Sequence, residues 1–180
     1  MLPGLLNERE YYTDHYVRAI LAGEVRAHLA DFDEQDTPPW QLLRSRQRAW
    51  KQLDARDPEA ARRWRWQLLT DLGYAPADTT RTVLDQDIPL LGELRRGDGT
   101  PHLWLWPSDA EDPLDAEHAG ISAAFNLESP PRFVLLLGPE RWILADRARW
   151  AERRLLGIDW DELLDHRDPD ALRAVTALLH

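Results

Sequence analysis

A strand that is apolar on both faces must be covered on both, and residues 102–106, His-Leu-Trp-Leu-Trp, read as such a strand. With side chains alternating at a period of two, Leu103 and Leu105 share one face and Trp104 and Trp106 the other. An aromatic side chain buries about 150–250 Å², and at about 25 cal/mol per Å² exposing either face costs several kcal/mol. A chain holding this segment therefore packs material on both sides of a sheet.

The neighbouring segments supply that sheet. Phe133–Leu137 is an apolar run bounded by proline and glycine, and Trp142–Ala145 answers it after a four-residue turn containing Gly138-Pro139, which predicts a hairpin. Thr80–Leu84 and Ile88–Arg95 read as two further strands, and Arg-Arg-Gly-Asp-Gly-Thr-Pro turns from the second into residues 102–106. A polar loop follows, then a short helix at Ala119–Phe125. After the hairpin comes an arginine-rich segment and then an acidic one, and the chain closes on a helix at Asp170–Leu179 behind the Asp168-Pro169 cap signal.

Before Gly73 the period is helical. Tyr12, Tyr16, Ile20 and Leu21, with Val17, Val25 and Leu29, predict a helix from Glu8 to about Ala30. Pro38 and Pro39 interrupt it, and a second helix is expected over Trp40–Asp54. A third is expected over Pro58–Leu72, with Asp57 as cap, Pro58 in the first turn and Gly73 as the stop. The order implies an α+β fold: N-terminal helices in 1–75 packed on a small mixed or antiparallel sheet in 76–180, together one compact domain. At 180 residues there is enough chain for a substantial core.

Composition narrows the chemistry. There are no cysteines, which excludes disulfides, thiolate metal sites and a cysteine nucleophile. No apolar run is long enough to span a bilayer and no leader pattern opens the chain, so a cytoplasmic location without membrane contact is expected. The histidines show no zinc spacing, the serines no Gly-x-Ser-x-Gly elbow, and the glycines no Gly-x-Gly-x-x-Gly or Walker loop; no cofactor is expected. Asn126, ahead of Pro130, Pro131 and Phe133, resembles the Asn-Pro-Pro-aromatic loop that holds a flipped base. It lies before a strand instead of after one, so it reads as the hairpin entry.

Charge gives the first candidate site. The net charge of −10 argues against a protein whose whole surface grips nucleic acid. Between Arg44 and Trp66, however, eight basic residues stand against three acids. Arg44, Arg48, Lys51, Arg62, Arg63 and Arg65 are the expected phosphate-facing set, with Trp40, Trp50, Trp64 and Trp66 interleaved as base-stacking or core residues. The second candidate is a restriction-type nuclease site, in which an acid at one strand end and an acid two residues before lysine on the next hold Mg2+ and orient water. Asp85 and Asp87 precede Glu93-Leu94-Arg95, which gives Asp87, Glu93 and Arg95 these positions, but an arginine does not act as a base near neutral pH.

Two stretches also carry a resemblance. IPLLGELRRGDGTPHLWLWPSDAEDPLD, followed by PPRFVLLLGPERWILADRARWAERRLLGIDWDELLDHRDPDAL, resembles the amino-terminal region of large bacterial class I SAM-dependent DNA methyltransferases, restriction-methylase-like enzymes of phage-defence systems such as DISARM. The resemblance runs from about Tyr11 to Leu179 and is most specific over Ile88–Asp168. It implies a degenerate restriction-nuclease-like core ahead of a methyltransferase domain that this sequence lacks. Where that family commonly has glutamate near the end of the HLWLWPSD strand, this sequence has Trp106-Pro107. The expectation is a DNA- or partner-positioning module without turnover of its own, either the N-terminal part of a longer methyltransferase or a freestanding relative working with defence-system subunits. A Mg2+-dependent nuclease and a protein-interaction domain built on the nine tryptophans are the alternatives.

Overall fold

The computed structural model describes residues 2–13, 15–16, 21–32, 37–54 and 57–179. The strands among them are β1 (Leu5–Glu8), β2 (Thr79–Val83), β3 (Gln86–Leu90), β4 (Gly92–Arg95), β5 (Pro101–Pro107), β6 (Phe133–Leu137), β7 (Arg141–Asp146) and β8 (Leu155–Asp159). Six form one sheet in the order β1-β8-β7-β6-β5-β4, while β2 and β3 make a hairpin of their own. Within the large sheet β5 and β6 are parallel and the other pairs antiparallel. A parallel pair requires a crossover, which α5 (Pro113–Ala124) supplies. With α1 (Leu21–His28), α2 (Pro39–Ser45), α3 (Gln47–Lys51), α4 (Pro58–Asp71), α6 (Trp160–His166) and α7 (Pro169–Leu179), the fold is α+β on a mixed sheet.

Both faces of β5 are covered, as its alternation requires. Leu103 and Leu105 join Leu135, Leu137, Trp142 and Ile158 against the helices, where Leu43, Trp64, Leu68, Leu164 and Val175 meet them. Trp104 and Trp106 join Val134, Leu136 and Ile143 on the other face, beneath Ile121 and Ala124 of α5 and Val83 and Leu90 of the hairpin. Seven of the nine tryptophans are buried, and Trp66 and Trp150 are half-buried. The indoles are core, so they offer no exposed stacking platform.

Several expectations need correction. Glu8 does not start a helix: it ends β1, opposite Leu155, and the Asn7 side chain then turns the chain by bonding both the N–H and the C=O of Tyr12. Four residues of strand carry too little periodicity to be seen, and pairing with β8 selects them. Within the expected first helix Leu21, Val25 and Leu29 are buried at helical spacing, whereas Val17 and Ile20 lie outside the described residues. Trp40–Asp54 is two helices, because the Arg46 N–H closes on Leu43 O and its side chain swings to Asp71 at 2.6 Å. Ile88–Arg95 is likewise two strands. Leu91 leaves the hairpin and bonds Leu105 in the large sheet.

β8 and α6 were unexpected, although their junction carries a signal: Asp159 accepts from the Glu162 N–H at 3.0 Å, half of a capping box. Three caps match their expectations, the first being Asp168, which accepts from the Ala171 N–H at 2.9 Å at the start of α7. Asp57 accepts from the Glu59 N–H at 3.0 Å, and Gly73 stops α4 at φ +92°. The line between 1–75 and 76–180 runs through a shared core, since β1 belongs to the sheet.

Candidate nucleic-acid interface

The six expected cations meet three fates. α2 buries Trp40 and Leu43 and α3 buries Gln47 and Trp50, which turns Arg44 and Arg48 outward. Both are exposed, without a side-chain partner among the described residues, and they line a groove of about 620 Å³ with Arg167, Arg173, Gln47 and Leu172. Asp170 touches this set at 3.8 Å from Arg173, a loose and highly exposed pair. Arg63 is also exposed and unpaired among the described residues. Lys51 is held by Asp165 at 2.9 Å, and that bond, with a second from Gln47, holds the Asp165 carboxyl below its usual range. Arg62 donates twice to Asp78, at 2.6 and 2.7 Å, and stacks over Trp66.

Arg65 leaves the set altogether. Its side chain is 2% exposed, pairs with Asp109 and donates to the carbonyls of Ala61, Ser108 and Leu137. Those last two carbonyls sit at the ends of β5 and β6, so Arg65 ties α4 to the ends of the parallel pair. Its position in the sequence, four residues after Ala61 and three before Leu68, places it on their inward face beside Trp64.

The nuclease residues are not gathered into a site. Asp85 and Leu84 form the two-residue turn of the β2–β3 hairpin, both at positive φ. Asp87 is exposed and accepts from the Thr82 hydroxyl at 2.9 Å. Glu93 is 6% exposed and clamped between Arg81 and Arg95, the latter at 2.6 Å. Two guanidinium groups occupy the carboxylate that a metal would need, and Arg95 also donates to Gly99 O. Glu93 thus docks the hairpin onto the sheet edge, a structural task that a strand-end motif read from sequence cannot be told from catalysis. Trp106 packs against Gly120 of α5. Among the described residues no group of three or more histidines and carboxylates is arranged to hold a metal ion.

The topology also sorts charge by sign, which linear reading missed. β5, β6 and β8 finish at one end of the sheet, where Asp109, Glu111 and Asp112 follow β5, Glu140 follows β6, and Asp159 and Asp161 stand at the β8–α6 junction. Most of these, with Arg141, line a groove of about 610 Å³. The opposite end carries Arg95, Arg96, His102, Arg132, Arg147, Arg149, Arg153 and Arg154. The signal was present: charge sign alternates from one strand junction to the next, but it becomes spatial only when strand direction is known.

Searches of protein families, of curated proteins and of solved structures find no match for this chain. Among the described residues no helix is long and apolar enough to cross a membrane.

Proposed function

We propose that this chain is a non-catalytic module of a DNA-modification or phage-defence system that holds nucleic acid by its backbone for a methyltransferase domain or another subunit. The observation that carries this reading is the groove between α2, α3 and α7, where Arg44 and Arg48 stand exposed and unpaired among the described residues beside Arg167 and Arg173. Arginine forks suit phosphate bidentately, and unpaired exposed arginines are available to do so. Glu93 supports the non-catalytic half of the reading, because its two arginine partners leave it committed to the fold. The sequence resemblance supplies the biological setting.

Duplex binding measured by fluorescence anisotropy across a salt series tests it. Each phosphate contact contributes about 0.9 to the slope of log affinity against log salt, so the double variant Arg44→Glu, Arg48→Glu should lower that slope by about two. Affinity should fall at least tenfold at low salt. Arg65 is unsuitable for such a test, since charge reversal there attacks the core. Undiminished binding by the double variant defeats the groove assignment.

A further inference from the structure

We infer that the arginine-bearing end of the sheet is a second contact surface for the nucleic-acid backbone, separate from the helical groove; this rests on the function proposed above.

Contiguity is the first argument. Arg96 donates to His102 Nδ1 at 3.3 Å, the His102 ring meets Phe133 edge-on at 5.3 Å, and Arg132 lies over that same Phe133 ring at 5.3 Å. The Arg147 N–H then donates to Arg132 O at 3.1 Å, extending the β6–β7 ladder by one step. Beyond it Arg153 caps the turn Trp150–Glu152 that leads back into β8. These residues run across β4 to β7, three strand spacings of about 4.8 Å or roughly 14 Å in all. At one charge per ~3.4 Å along each strand of a duplex, that span meets several phosphates.

Availability is the second argument. Arg147 and Arg153 are exposed with no side-chain partner among the described residues, while Arg96 bonds the His102 imidazole and also feels the exposed Asp98 carboxylate. The acids nearby are largely engaged. Asp146 is buried beneath Arg132, Glu152 pairs with Arg154 at 2.8 Å, and Asp98 bonds Thr100 in its own turn. Glu10 and Glu8, which also lines the acidic groove, lie at the β1 margin, outside the Arg96–Arg147 stretch. His102 responds to the local field: burial, then Arg96 and Arg132, hold its imidazole below the usual histidine range.

Orientation is the third argument. A chain of net charge −10 is repelled by DNA unless it presents a positive face, and the acidic end of the same sheet repels most strongly. Of the two ends of the sheet, only the arginine end can therefore face DNA. The half-buried rings of His102 and Phe133 among the arginines favour nucleic acid over an acidic polypeptide, because bases stack where carboxylates do not.

The test compares three forms of the full chain, all checked for folding by circular dichroism: wild type, the groove variant Arg44→Glu, Arg48→Glu, and the rim variant Arg96→Gln, Arg147→Gln, Arg153→Gln. Anisotropy with single-stranded and duplex DNA, and with polyglutamate, should show the rim variant losing at least tenfold in DNA affinity and about three in salt slope. Polyglutamate should bind wild type far more weakly than DNA. If wild type binds no DNA at low salt, the proposed function falls and this inference with it. If the groove variant is impaired while the rim variant binds as wild type does, this inference alone is overturned. Equal affinity for polyglutamate also overturns it, because bare charge would then suffice.

Discussion

The two ends of the six-stranded sheet are built as opposites. One end gathers aspartates and glutamates around a groove, the other gathers arginines, and beneath each lies a buried residue of the contrary sign. Under the acidic end Arg65 is 2% exposed while its partner Asp109 is 62% exposed. Under the arginine end Asp146 is buried while its partner Arg132 is more exposed, at 3.0 Å. Both buried charges also satisfy backbone groups: Arg65 the strand-end carbonyls of Ser108 and Leu137, Asp146 the N–H of Ala148 at 2.8 Å. A rim of like charge repels itself, and a buried counter-charge relieves that repulsion more effectively than solvent ions, which act over about 10 Å at 0.1 M salt. The contrast teaches that a buried charge here is a fastening for a rim, and that the rim residues without one are those left free to meet a partner.

Removing each fastening tests that view. Arg65→Met keeps most of the volume but takes from the Ser108 carbonyl its donor, leaves Leu137 O with the Ser108 N–H alone, and deprives the acidic end of its counter-charge. Urea denaturation should show a loss of about 3 kcal/mol. Stability equal to wild type would mean that the Ser108 carbonyl is satisfied in some other way. At the other end Asp146→Asn retains an acceptor for Ala148 N–H while cancelling the charge under Arg132. The expected loss is smaller, about 1–2 kcal/mol, and it should shrink as salt is raised. A loss independent of salt would show that hydrogen bonding alone holds this end.

The smallest effect is confined to alkaline pH. Burial, then Tyr12 and Asp146, pushes the Tyr11 phenol from 10.0 up to about 12, against the opposing pull of Arg149, whose guanidinium lies over the ring at 4.6 Å. Burial alone raises Tyr74, which donates to Leu179 O, from 10.0 to about 12. Each raised phenol adds stability that is complete below pH 10.0 and is lost as pH rises towards about 12. Thermal melts between these limits should therefore fall less steeply for the Tyr11→Phe, Tyr74→Phe variant than for wild type. Parallel curves would contradict the burial of both rings.

Much of this architecture was legible in the residues. The alternation of Leu103 to Trp106 demanded two covered faces, the Gly138-Pro139 turn set the β6–β7 hairpin, and Asp57 with Gly73 bounded α4, because all three depend on neighbours in sequence. β1 was not legible, since a four-residue strand exists only through its pairing with β8. Nor was the candidate site. Arg62, Arg63 and Arg65 are nearly adjacent in sequence, yet one is paired, one is free and one is buried, and the difference comes from Asp78 and Asp109, which the fold brings to them. By itself the sequence determined the period of the longer elements, the excess of arginine and the acidic balance of the whole. Tertiary structure alone decided which charges remain free and at which end of the sheet they stand, because charges far apart in the chain neutralise or reinforce one another only through distances and strand directions that folding sets.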